Sequence, residues 1–167
     1  AFCGQCQPCR QIEAQAFPDL AILRVVEGSR ELKIEQVRAM QQTLALAPYQ
    51  SKYRVVLIPD FQRATTGASN ALLKSLEEPP SRAILILTAD ARESLLETIA
   101  SRCEVVRLRP MRIADLAKEL QERHQLSEIE SRELAQLAGG RVGTALSYLR
   151  DEDLLDKYHN ALDQLEE

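Results

Sequence analysis

The apolar positions in the first two thirds of the chain form short, nearly continuous runs that alternate with stretches of helical spacing. The runs lie at residues 20–26, 53–58 and 83–87 and are rich in Ile, Leu and Val. Runs of this length are typical of strands covered on both faces, as in parallel sheets. Residues 34–46 and 66–78 instead carry apolar side chains three and four positions apart, which predicts two helices. The alternation predicts an α/β fold with a parallel sheet.

Three shorter patterns complete this part of the chain. Residues 10–16 suit a short helix, and residues 93–100 have a helical pattern. Residues 104–108 alternate in part between apolar and polar side chains, which predicts a last strand with some exposure.

Pro110 marks a change to helices alone. The pattern predicts four of them, at residues 113–122, 129–137, 142–149 and 154–165. A switch from strand–helix alternation to helices indicates two units. We therefore predict an α/β domain over residues 1–109 and an all-α domain over residues 110–167.

The composition restricts the classes of function. The chain has 167 residues, of which 45% are hydrophobic and 4% aromatic, so Ala, Leu and Ile must fill the core. Its formal charge of −4 does not favour general binding to nucleic acid. No apolar run approaches the roughly 18 residues of a membrane span, and no signal peptide is visible. We expect a cytoplasmic protein without membrane contact.

The cysteines suggest a metal. Cys3, Cys6 and Cys9 form a C-x2-C-x2-C pattern, and closely spaced thiols in a reducing compartment favour zinc over disulfides. Three thiolates are one short of the usual tetrahedral structural site. The fourth ligand could be Cys103 if the fold brings it near, or a cysteine upstream of Ala1.

Polar residues follow two of the predicted strands. Asp60 and Thr88 stand where open parallel sheets bind ligands, so they are candidates for a weak nucleotide site. A simple turn-forming role for Asp60 is the alternative. No phosphate-binding G-x-x-x-x-G-K-[ST] segment is present. Glu77 and Glu78 could suggest acid–base chemistry, but a solvated helix end is the favoured interpretation.

Three longer motifs carry a family resemblance. IPDFQRATTGASNALLKSLEEPPS, ILILTAD and TIASRC resemble the bacterial DNA polymerase III clamp-loader ATPases of the AAA+ class, and CGQCQPCRQIE resembles their inserted zinc module. The resemblance runs from Ala1 to about Leu149. It implies a partial P-loop-type parallel sheet with a zinc module at residues 1–17, followed by a helical lid.

Two departures from the hydrolysing gamma/tau subunit favour the related delta-prime type. Pro59 precedes Asp60 where the motor has Asp-Glu, and Gly143 stands where the motor's lid has an Arg, with Arg141 two residues further back. A site without these groups is poorly suited to ATP hydrolysis. We expect no enzyme activity from the protein alone.

The resemblance implies a functional role for Arg102. In this family the Arg of the SRC triplet acts as a finger on ATP bound to the neighbouring subunit, and Ser101 would help to place it. Arg suits the role because its charged fork matches phosphate oxygens. Cys103 would pack as a small apolar residue, which makes it a poor zinc ligand and favours a ligand upstream of Ala1.

The implied partners are gamma/tau and delta subunits, with the sliding clamp and primer–template DNA reached through the complex. One rival is an active gamma/tau-like ATPase. A rival of another class is a zinc-containing nucleic-acid-binding module, which the acidic balance and the scarcity of aromatic residues disfavour.

Overall fold

The computed structural model describes residues 3–151. The predicted helix at residues 154–165 lies outside this part of the chain. The chain divides into two compact units, Ala1–Val106 and Arg107–Glu167. The division into two functional domains at Pro110 stays a prediction. The elements of the first unit are α1 (Gln7–Glu13), β1 (Leu20–Ile22), α2 (Ile34–Leu44), β2 (Arg54–Ile58), α3 (Thr66–Glu77), β3 (Ala83–Leu87) and α4 (Glu97–Ala100).

The strands of the first unit form a parallel sheet in the order β1-β2-β3. In the register, Leu20 lies opposite Val55 and Arg54 lies opposite Ala83. The central strand β2 alternates between buried and half-buried positions. The predicted parallel sheet is confirmed, and so are the positions of its two longer strands.

Helices α2 and α3 pack with the sheet into one apolar core. Its buried members are Leu32, Val37, Met40, Leu44, Val56, Ile58, Phe61, Ala68, Leu72 and Ile99. Helix α3 begins where the Thr65 hydroxyl accepts a hydrogen bond from the Ala68 N–H at 3.2 Å, and it ends before Pro79. The Gln41 side chain of α2 donates to the Ala71 carbonyl oxygen and to the Ser75 hydroxyl, both at 2.8 Å, which ties the two helices together.

Several predicted elements need correction. Strand β3 is not covered on both faces, because Ile84 and Ile86 are 40% and 45% exposed. Strand β1 is three residues long and half-buried, whereas the sequence predicted a buried strand of seven residues, 20–26. The predicted helix over residues 93–100 is a 3-10 turn at Arg92–Ser94 followed by the short α4.

The last predicted strand, residues 104–108, is also wrong. These residues have no strand pairing, and Val106 and Leu108 are 74% and 92% exposed. A strand needs a neighbour for its backbone hydrogen bonds. Within residues 3–151, β1 and β3 remain the edges of the sheet, and nothing pairs with residues 104–108.

The second unit contains three helices in its described part. They are α5 (Ile113–His124), α6 (Glu128–Leu137) and α7 (Val142–Arg150), close to the predicted positions. Ser127 and Glu130 form a reciprocal capping box at the start of α6. Gly140 has φ +75°, and a Cβ there would collide with the Met111 carbonyl oxygen, so only glycine fits this approach. None of the helices within residues 3–151 is long and apolar enough to span a bilayer.

Candidate functional site

The end of α4 places Arg102 on the surface. Its guanidinium donates to one oxygen of Glu77, from Nε at 2.8 Å and from Nη2 at 2.7 Å. Nη1 donates to the Thr98 carbonyl oxygen at 2.9 Å and lies 3.4 Å from the Ser101 hydroxyl. The side chains of Arg102 and Glu77 are 37% and 50% exposed. A charged, oriented guanidinium therefore faces solvent.

The residue after Arg102 is anchored. Cys103 is half-buried and packs against the apolar core of the first unit, as the sequence predicted. Burial raises the pKa of its thiol, which favours the neutral form. An anchored Cys103 and a short helix before Ser101 together fix the backbone position from which Arg102 projects.

The structure brings Asp60 and Thr88 together at the carboxyl ends of β2 and β3. The Asp60 N–H donates to the Thr88 hydroxyl at 3.1 Å, and the Phe61 N–H donates to the Thr88 carbonyl oxygen at 2.8 Å. Asp60 has φ 52°, a left-handed conformation that Asp tolerates better than most residues. The two side chains are exposed. The geometry is that of a tight turn whose carboxylate faces solvent.

Three cysteine thiols form a cluster at the start of α1. The sulfurs of Cys3, Cys6 and Cys9 all lie within 4.8 Å of one another, and those of Cys3 and Cys9 are 3.8 Å apart. The Cys6 N–H donates to the Cys3 sulfur at 3.4 Å. This bond, the backbone of Gln5 and the thiols of Cys6 and Cys9 lower the pKa of Cys3 to about 7. Cys103 is not part of the cluster. The cluster can bind a metal.

The lid positions of interest lie at the start of α7. Gly143 occupies the first turn, and nothing lies within 4 Å of a Cβ built there. Packing within the described residues therefore does not require glycine at this position. Arg141 is the residue before the helix.

Sequence reasoning missed the partner of Arg102. It treated Glu77 as part of a solvated helix end, whereas the structure pairs it with Arg102, 25 positions later. Both residues lie in motifs that the resemblance identified. The contact between them depends on how α3 packs beside α4, which the pattern along the chain does not specify.

Solved structures with a similar fold define the class. Thermotoga maritima RuvB, named a Holliday junction branch migration motor, matches 90% of this chain and 50% of its own with a TM-score of 0.61 and 14% identity. A gamma subunit-related protein of DNA polymerase III from the same organism matches 71% of this chain and 44% of its own, with a TM-score of 0.52 and 32% identity. The parallel sheet followed by helices is a partial AAA+ module of the P-loop type.

The family follows from sequence comparison. The family model for the delta subunit of DNA polymerase III matches residues 1–112, so the chain belongs to this family. DNA polymerase III subunit delta' of Haemophilus influenzae is 40% identical over 103 residues, which cover 62% of this chain and 31% of that protein. Subunit tau of Escherichia coli is 31% identical over 156 residues, or 87% of this chain and 23% of that protein.

These relatives place the chain in the delta-prime branch, related to gamma and tau. The chain spans about a third of the length of the delta' proteins that it matches.

Proposed function

We propose that this chain is the part of a clamp-loader delta-prime subunit that supplies Arg102 to ATP bound on a neighbouring subunit. The observation that carries the proposal is the exposed guanidinium in the SRC triplet, fixed between a short helix and the anchored Cys103. The neighbour would be a gamma/tau subunit. Delta, the sliding clamp and primer–template DNA would be reached through the complex.

The chemistry of phosphoryl transfer explains why an Arg suits this position. Negative charge spreads over the oxygens of the transferred group, and a guanidinium stabilises it with a fixed positive charge. The guanidinium of arginine is a permanent positive charge in proteins, which suits it to this task. Ser101 contributes by ending α4 immediately before the finger. In this role Arg102 acts on the site of another subunit.

A lack of hydrolysis by the protein itself is the second part of the proposal. Pro59 stands at the motor's metal-binding position, and Asp60 sits in a tight turn joined to Thr88. Gly143 replaces the lid Arg although packing leaves room for a side chain. Without the metal-binding Asp and the lid Arg, a bound nucleotide would lack two sources of charge stabilisation. Packing around Gly143 does not explain the missing Arg.

The active gamma/tau-like ATPase is the alternative, and the match to tau over 87% of this chain supports it. Steady ATP turnover by the purified protein, abolished in Asp60→Asn, would support this alternative against the proposal.

Zinc binding by Cys3, Cys6 and Cys9 completes the proposal. Zn–S bonds of about 2.3 Å in a tetrahedral site place thiolates about 3.8 Å apart. The Cys3–Cys9 separation of 3.8 Å fits this geometry. The three thiolates would hold a structural zinc together with a fourth ligand outside the cluster. Such a site orders a short segment that has little apolar core of its own.

Elemental analysis tests the zinc site in the full-length protein after metal-free purification and zinc resupply. We expect one zinc per protein, lost in Cys6→Ser and retained in Cys103→Ala. A protein without zinc, or equal zinc in both variants, contradicts the site.

The finger is tested in a reconstituted complex at matched assembly. Arg102→Ala should lower ATP turnover and clamp loading, and Arg102→Lys should rescue poorly because it restores charge without the fork. Total turnover should fall only in part if other subunits carry their own fingers.

Arg92 offers a matched control. It forms an ion pair of 2.7 Å with Glu97 and its side chain is 39% exposed, close to the values for Arg102. Arg92→Ala should leave turnover unchanged. Equal rates for wild type and Arg102→Ala would show that Arg102 is an ordinary surface residue.

A further inference from the structure

Glu77 engages one edge of the Arg102 guanidinium. A single carboxylate oxygen of Glu77 accepts from both Nε and Nη2, and the Thr98 carbonyl oxygen accepts from Nη1. A guanidinium has five N–H donors. Nη1 also donates to the Ser101 hydroxyl at 3.4 Å, the longest of these contacts. By count, one N–H on Nη2 remains for another acceptor, and the Nη1 donor can exchange its long hydrogen bond for a shorter one to a phosphate oxygen.

We propose that Glu77 is the positioning residue for Arg102. It holds one side of the guanidinium, so that the remaining Nη2 N–H and the weakly bonded Nη1 N–H are presented to a neighbouring subunit in one orientation. This inference rests on the proposed function. It adds a residue from α3 to a site that sequence motifs place on the segment after α4 alone.

The exposure of the pair argues for positioning over stabilisation. The side chains of Arg102 and Glu77 are 37% and 50% exposed, and ion pairs this exposed contribute little to the free energy of folding. An arginine side chain has several rotatable bonds, and restricting them before the neighbour binds reduces the entropy lost in the transition state. A pair with little effect on stability can therefore have a large effect on rate.

The next residue provides a matched control. Glu78 is also exposed and also acidic. It follows the last residue of α3, and its side chain has no hydrogen bond or ion pair within the described residues. Removing its carboxylate changes the net charge as much as removing that of Glu77. Any effect of local charge alone should therefore be shared by the two variants.

The experiment measures ATP turnover of the reconstituted clamp-loader complex over a range of ATP concentrations. The turnover that Arg102→Ala removes defines the finger-dependent part. We expect Glu77→Ala to lower kcat of this part by about tenfold, since small misplacements of a catalytic group reach about 10²-fold. KM for ATP should stay the same, and Glu78→Ala should behave as wild type. In the Arg102→Ala background, Glu77→Ala should add nothing.

Each other outcome overturns the inference. Turnover of Glu77→Ala equal to wild type means that Glu77 does not position Arg102. Higher turnover means that Glu77 holds Arg102 away from the neighbouring site. A further loss on top of Arg102→Ala means that Glu77 acts through another group. If neither Glu77→Ala nor Glu77→Gln assembles, its role is structural. An unchanged rate in Arg102→Ala removes the proposed function as well, whereas a lower rate there with an unaffected Glu77→Ala removes only this inference.

Discussion

Two arginine–carboxylate pairs in the first unit have the same chemistry and opposite environments. Arg54 and Asp19 are 9% and 1% exposed, and their nearest atoms are 3.5 Å apart. Arg102 and Glu77 lie on the surface, and their nearest atoms are 2.7 Å apart. The closer pair is thus the exposed one.

The buried pair organises backbone. The Asp19 carboxylate accepts hydrogen bonds of 2.6, 2.9 and 2.8 Å from the backbone N–H groups of residues 49–51. Arg54 also donates to the Ala47 carbonyl oxygen at 3.1 Å. The pair therefore joins the segment before β1 to the loop before β2.

The two pairs differ in whether their polar groups are already engaged. Both carboxylate oxygens of Asp19 accept hydrogen bonds from the backbone of residues 49–51 or from Arg54, and the residue is buried. The Arg102 guanidinium is partly exposed and keeps one unengaged N–H, on Nη2. Breaking a buried ion pair costs several kcal/mol of folding free energy, about 3–5 kcal/mol, whereas rearranging an exposed pair costs about 1 kcal/mol or less. Only the second can be offered to a partner.

The largest effect on stability should come from Asp19→Ala. It leaves a buried guanidinium without its carboxylate and the N–H groups of residues 49–51 without an acceptor. We expect the thermal midpoint of the first unit to fall by roughly 10 °C or more. Circular dichroism melting measures it, with Glu77→Ala as the exposed counterpart. A midpoint within about 2 °C of wild type would contradict the distinction between the two pairs.

A smaller effect should appear as acid sensitivity. Burial raises the pKa of the Asp19 carboxyl, but the backbone donors of residues 49–51 outweigh it, so the pKa lies below its ordinary value. A carboxyl with a depressed folded pKa contributes stability above its unfolded pKa, about 3.9, and loses it as the pH falls further. Wild-type stability should decline below about pH 5.

Asp19→Asn should reduce this decline. Urea midpoints at several pH values between neutral and acid measure it. A residual slope is expected from Glu130, whose pKa the hydrogen bonds from Ser127 lower. An unchanged slope in the variant would show that Asp19 does not carry the linkage.

The smallest effect on stability should come from the exposed pair. Arg102→Ala and Glu77→Ala should each change the free energy of unfolding by less than about 1 kcal/mol. Urea denaturation measures it, and Arg92→Ala provides a second exposed pair for reference. A large loss in either variant would assign the pair to the fold and weaken its functional interpretation.

The sequence predicted the elements whose signals are local. Helix α3 has a capping threonine before it and two prolines after it, and β2 is apolar after its first residue, so both are found within one residue of their predicted starts. The thiols of Cys3, Cys6 and Cys9 cluster as their spacing suggested.

The other features depend on contacts distant in sequence. Residues 104–108 have a strand-like pattern but pair with no strand within the described residues. Asp19 precedes β1 like an ordinary turn residue, and only the folded chain brings residues 49–51 to it. The pairing of Glu77 with Arg102 likewise follows from the packing of α3 beside α4.

The central claim is that Arg102 acts on the ATP site of a neighbour. The most direct test is a reconstituted complex in which that neighbour carries the only intact ATP site and all others are inactivated by mutation. We predict that Arg102→Ala lowers single-turnover hydrolysis there by about 10³-fold or more while ATP binding is retained. A rate within twofold of wild type would contradict the claim.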